Sequence, residues 1–178
     1  MDRHPLHYSA AVYNCTVWDE QHRRLVCFFQ EEAILCMAMS ADPEGRPGTW
    51  KKWFEGGFTE PGLGGRATPL PDLAKRRGGN PSVHWNTFLH RWVIVWHRWA
   101  GDLWIATSAD LLAWTAPKLL LDKPAGGGKV WYPTLIGASD QVGGEAVTLL
   151  YAEFPDDTSD KRRCLARELV FRKPQPWR

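Results

Sequence analysis

The sequence predicts an all-β protein built from three tandem repeats, each a small antiparallel sheet. Three observations carry this expectation. One order of strands and turns occurs at 11–54, again at 80–121, and more loosely at 131–171. The strongest apolar runs, Leu25 to Phe29, Trp92 to Trp96 and Val147 to Tyr151, are five residues long and rich in β-branched, aromatic and aliphatic side chains, which suits strands. No segment sustains the 3.6-residue period of an amphipathic helix.

The first two repeats share a short strand, a polar turn, a strongly apolar strand, a second polar turn, and an apolar strand ending in Ser-Ala-Asp. A tryptophan then opens the last strand. The matching tails are Met39-Ser40-Ala41-Asp42…Trp50 and Thr107-Ser108-Ala109-Asp110…Trp114, the first being four residues longer in its turn. In the third repeat, Trp131 to Ile136, Ala146 to Glu153 and Arg162 to Phe171 read as strands, with no fourth. The connectors 55–79 and 122–130 are rich in glycine and proline and read as loops without helix. Apolar runs with no polar face suit strands held between neighbouring sheets. Four strands in about 40–50 residues is the period of a β-propeller blade. The whole chain, 1–178, then forms one propeller-like domain. A β-sandwich of about a dozen strands is the alternative architecture.

Composition narrows the partners. A net charge of +2 favours no nucleic acid, and the cluster Lys75-Arg76-Arg77 reads as a solvated loop, with an anion contact as the other reading. No apolar run reaches the roughly 18 residues of a membrane span, and Met1 to Leu6 lacks a signal-peptide core. The four cysteines, Cys15, Cys27, Cys36 and Cys164, show no metal-binding spacing, so no metal or other cofactor is expected. Asp156 to Asp160 has oxygen ligands without the glycine and spacing of a calcium loop, and reads as a surface turn. The eleven tryptophans imply either a core of large flat side chains or a surface that stacks on planar or sugar rings.

Three segments resemble the five-bladed β-propeller glycoside hydrolases, the arabinanase/xylosidase and invertase-like group. They are Asn80-Pro81-Ser82-Val83-His84-Trp85-Asn86, the stretch Ile105 to Leu111 with Trp114, and Trp131-Tyr132-Pro133-Thr134-Leu135-Ile136-Gly137. The Ser-x-Asp…Trp turn is also similar to that of sialidase-type propellers, and Ser40, Asp42, Trp50, Ser108, Asp110 and Trp114 read as structural. The resemblance implies carbohydrate as the ligand, a glycoside hydrolase if the chain is an enzyme, and a secreted or periplasmic location. A non-catalytic glycan-binding module and a protein-interaction propeller are the alternatives.

In propeller topology the starts of the inner strands and the turns between second and third strands share one face, at the mouth of the central channel. That places Asn80, His84, His97, Arg98, Trp99, Trp131 and Tyr132 as candidate substrate-binding residues, with aromatic faces for sugar rings and polar groups for hydroxyls. His84 has a second reading as a core histidine, and Trp85 and Trp96 read as core. Hydrolysis needs two carboxyl groups. The resembling hydrolases keep an aspartate on an inner strand, where this chain has Asn14, Asn80 and Tyr132. The candidate catalytic residues are therefore Glu153, Glu60 and Glu31. A Ser82/His84/Asp102 set is a weaker possibility, because no nucleophile elbow is present. Three blades do not close a ring and leave two faces uncovered. Either the ring is incomplete and the chain part of a longer one, or two chains complete it; for an isolated chain a two-fold homodimer is expected.

Overall fold

The computed structural model describes residues 14–156 and 161–173. Tyr13, the first residues around Met1 to Leu6, and most of the Asp156 to Asp160 turn lie outside the described residues.

The described chain is all-β, in three sheets laid side by side. The first is a five-stranded antiparallel meander: β1 (Asn14–Asp19), β2 (Arg24–Glu31), β3 (Ile34–Ser40), β4 (Trp50–Phe54) and β5 (Gly57–Pro61). The second runs β6 (Gly78–Asn86), β7 (Arg91–Arg98), β8 (Leu103–Ser108) and β9 (Lys118–Leu121). Against its inner edge, parallel to β6, lies β11 (Val142–Gly143), which the chain supplies from the third segment. The third sheet holds β10 (Lys129–Ile136), β12 (Ala146–Phe154) and β13 (Arg163–Val170).

Two elements depart from the expected loop at 55–79. β5 pairs with β4, and a single helical turn, α1 (Pro71–Ala74), follows it. Proline opens this turn, where a missing N–H is harmless, and it buries Leu73. The Asp72 carboxylate accepts the Trp114 N–H of the second sheet at 3.0 Å. Four residues are too few to show a helical period in sequence.

The middle sheet explains the unbroken apolar runs. Along β7, Trp92, Ile94 and Trp96 pack against the first sheet, beside Val17, Val26, Phe28, Leu35 and Met37. The alternating Val93 and Val95 pack against Val130, Leu135, Val147, Leu149 and Tyr151 of the third sheet. Period-two alternation thus feeds two cores, and a strand apolar on both faces results. Trp96 is fully buried, with its indole N–H donated to the Arg76 carbonyl at 3.1 Å.

The Ser-x-Asp turns close alike in both sheets. Asp42 and Asp110 N–H groups donate to Ser40 and Ser108 Oγ, at 3.1 and 3.2 Å. Each aspartate then takes N–H groups of the following loop, from Glu44 and Arg46 in one case and Leu112 and Ala113 in the other. The tryptophans close the turns from above, Trp50 Nε1 on the Gly45 carbonyl and Trp114 Nε1 on that of Leu111. All four cysteines are free thiols, and burial pushes Cys15 and Cys36 up to about 11 and about 12.

Candidate functional site

Contact between neighbouring sheets brings their turns and strand starts together. The Gly78 N–H at the start of β6 donates to the Ala33 carbonyl in the β2–β3 turn, at 2.8 Å. One sheet further on, the Val130 N–H of β10 donates to the Gly101 carbonyl in the β7–β8 turn, at 2.9 Å. Inner-strand starts and second turns therefore do share one end of the molecule.

At the second of these junctions five aromatic rings converge. His97, the second-to-last residue of β7, stacks on Trp131 with ring centroids 5.3 Å apart and planes 25° from parallel. Trp99 meets both edge-on, at 5.0 and 5.6 Å. Tyr132 and Phe154 complete the group, each within 6 Å of Trp131 by centroid (5.9 and 5.5 Å). Trp99 remains 37% exposed, so the cluster reaches the surface. Lys129 lies over the Trp131 ring at 4.7 Å. Beside the rings, Arg98 grips Asp102 through two hydrogen bonds, and the Trp104 N–H joins Asp102 at 3.0 Å. Burial disfavours the Asp102 charge, but the Arg98 and Trp104 bonds outweigh it and hold the carboxyl below its usual range.

His97 is fully buried, and burial pushes its imidazole down to about 4. The ring is neutral near pH 7. Its Nδ1 accepts the Tyr132 N–H at 3.4 Å, so Nε2 carries the proton. Among the described residues, neither His97 Nε2 nor Trp131 Nε1 has a hydrogen-bond partner, although both are buried.

Asn80 sits at a different place, in a polar cleft of about 300 Å³ where the three inner strands converge. Asn14, Thr16, Ser82, Thr134, Asp140 and Gln141 share its walls. Asp140 and Gln141 carried no sequence signal. They arrive through the loop before β11, and only the pairing of β11 with β6 places them there.

The other candidates are dispersed. His84 is buried between the second and third sheets, 6.3 Å from Phe171 by ring centroid, with no polar partner among the described residues. Ser82 accepts the Leu135 N–H and Asp102 is held by Arg98, so Ser82, His84 and Asp102 do not bond one another. Glu31 takes the buried Lys52 ammonium at 3.3 Å. Glu60, in β5, accepts the Arg66 N–H and guanidinium at 3.1 and 3.2 Å, and the backbone bond foremost holds its carboxyl below the usual range. Glu153 lies in β12, opposite Val130 and Arg163 and next to Phe154 of the aromatic group. Among the described residues, no three His, Cys, Asp or Glu side chains form a metal-binding group, and no helix is long and apolar enough to cross a membrane.

The fold is similar to that of an endo-1,4-beta-xylanase from Bacteroides thetaiotaomicron, with a TM-score of 0.58 at 13% identity, covering 91% of this chain and 53% of that one. The chain spans about half the length of the structure it matches. The likeness is one of all-β fold. No protein-family model and no curated protein matches the sequence.

Proposed function

We propose that the three sheets are blades of a β-propeller-type, glycoside-hydrolase-like domain, and that the aromatic end binds an oligo- or polysaccharide. One observation carries the reading: a cluster of five rings reaches the surface at Trp99, which is 37% exposed and braced edge-on by His97 and Trp131. A sugar offers a C–H face to such a ring. The Arg98–Asp102 pair adds donors and acceptors at the rim, and the fold likeness to a xylanase is consistent with a carbohydrate ligand.

Titration with xylo- and arabino-oligosaccharides, followed by tryptophan fluorescence, tests this reading. A saturable change that disappears in Trp99→Ala and Trp131→Ala is expected. A response unchanged in both variants, or no response to any glycan while a protein partner is retained, overturns it.

Hydrolysis at the same end is the second reading, and it rests on Glu153 beside Phe154. Glu60 is held charged by Arg66, which suits it poorly to proton donation.

The homodimer belongs to the same proposal. Apolar side chains are exposed at both ends of the row of sheets, Leu63 in the turn after β5 and Ile136 and Val170 on the third sheet. A two-fold pair covers each with the other.

A further inference from the structure

We propose a second ligand site at the opposite end of the sheets, one that takes an organic ammonium cation such as a methylated amine. β6 runs from Gly79 at the aromatic end to Trp85, a span of roughly 20 Å at a strand's rise per residue, so this site is separate from the saccharide end. It is a cavity of about 370 Å³, the size of a small-molecule pocket, lined by Trp18, Trp85, Trp92, Glu20 and Gln141 with Asp19 behind. The walls are indole. Trp85 and Trp92 meet at 69° with centroids 5.4 Å apart, and Trp18 stands across from them on β1.

What the walls have left to offer selects the ligand. The Trp18 indole N–H is donated to the Glu20 carboxylate. Gln141 accepts the Trp18 backbone N–H through Oε1 at 3.3 Å and the Trp85 N–H through its carbonyl at 2.9 Å. Asp19 is balanced by Arg24 at 2.9 Å and His22 at 2.8 Å. The remaining offer is ring faces, the side-chain amides of Gln21 and Gln141, and one negative charge, since Glu20 has no cationic partner among the described residues and no lysine, arginine or histidine lines the cavity. A neutral sugar leaves that charge uncompensated. An ammonium head group needs only π-faces and a carboxylate.

Choline and its neutral isostere 3,3-dimethylbutan-1-ol, which share a shape and differ in charge, are titrated against the full chain by calorimetry. A trimethyllysine peptide beside its unmethylated form separates a free amine from a modified side chain. Choline or the methylated peptide is expected to bind about tenfold more tightly than its control. Glu20→Gln, an exposed change that leaves the core alone, weakens binding about fivefold, and Trp18→Phe weakens it further. Trp99→Ala at the other end leaves it unchanged. Equal affinity for choline and the neutral isostere, no binding of any cation, or insensitivity to both Glu20→Gln and Trp18→Phe overturns the proposal.

Discussion

Asn80 and Tyr132 hold the same place in adjoining sheets: each lies in the bulge of its inner strand, precedes a proline, and has a left-handed backbone, with φ of +54° and +57°. Left-handed geometry is uncommon for a residue with a side chain, less so for asparagine than for tyrosine. Its recurrence makes the bulge a built feature that turns the strand start toward the polar cleft and the ring cluster.

Asn80→Gly is therefore expected to leave stability within about 0.5 kcal/mol, whereas Asn80→Val, a β-branched residue at positive φ, lowers it by about 1–2 kcal/mol. Urea unfolding measures both. Equal stability of the two variants removes the role assigned to the bulge.

Gly78 leaves no room for a side chain. A Cβ there would stand 1.9 Å from the His97 carbonyl oxygen, a backbone atom that cannot swing aside. Gly78→Ala should lower stability by about 1–3 kcal/mol and displace His97 from Trp131. Loss of saccharide response in a folded Gly78→Ala protein, read by circular dichroism and fluorescence together, is the expected result.

Acid should unfold the protein in a defined window. Burial depresses the pKa of His84 and His97 to about 4, while the unfolded chain has imidazoles near 6.5. Below pH 6.5 the unfolded state takes up protons that the native state refuses, so stability falls until about pH 4 and is level from 6.5 until the thiols of the unfolded chain begin to ionise, at about pH 8. Each ring accounts for about 3 kcal/mol at most across that window. Asp42, Asp102, Asp110 and Glu60, all held below their usual ranges, lose their stabilising charge only at lower pH. Urea midpoints that are level between pH 7 and 4.5 contradict this. His84→Leu should halve the slope.

The catalytic reading is separable from the binding one. If Glu153 donates a proton, Glu153→Gln abolishes turnover of a chromogenic glycoside while the fluorescence response to oligosaccharide persists. Full activity in both Glu153→Gln and Glu60→Gln removes the carboxylates from the chemistry and leaves a glycan-binding module.

Light scattering at micromolar concentration should give about 40 kDa, twice the 20.3 kDa chain. A monodisperse 20 kDa species removes the dimer.

The strands that bury both faces were the easiest to read from sequence, since Trp92 to Trp96 can lie nowhere but between two sheets. β5 and α1 were not, because Gly57, Pro61 and Pro71 are the residues by which loops are recognised, and β11 has only two residues. His97, Trp99, Trp131 and Tyr132 were legible as neighbours because turn and strand start follow from sheet order. The ion pairs of Glu31 and Glu60 were not, for the first depends on Lys52 of β4 reaching Glu31 across the sheet and the second on the chain after β5 turning back to bring Arg66 to Glu60. Trp85 read as core from its place in a strand, yet one side of it lines the second cavity, a distinction that only the position of β11 decides.

The bond from Gly78 to Ala33 is made again from Val130 to Gly101, so each turn presents to the next strand what it met in the one before. A unit with that property can be copied in its gene and joined to itself with no new interface to invent. Lengthening such a protein asks only for another duplication, and the added sheet inherits its docking partner already formed.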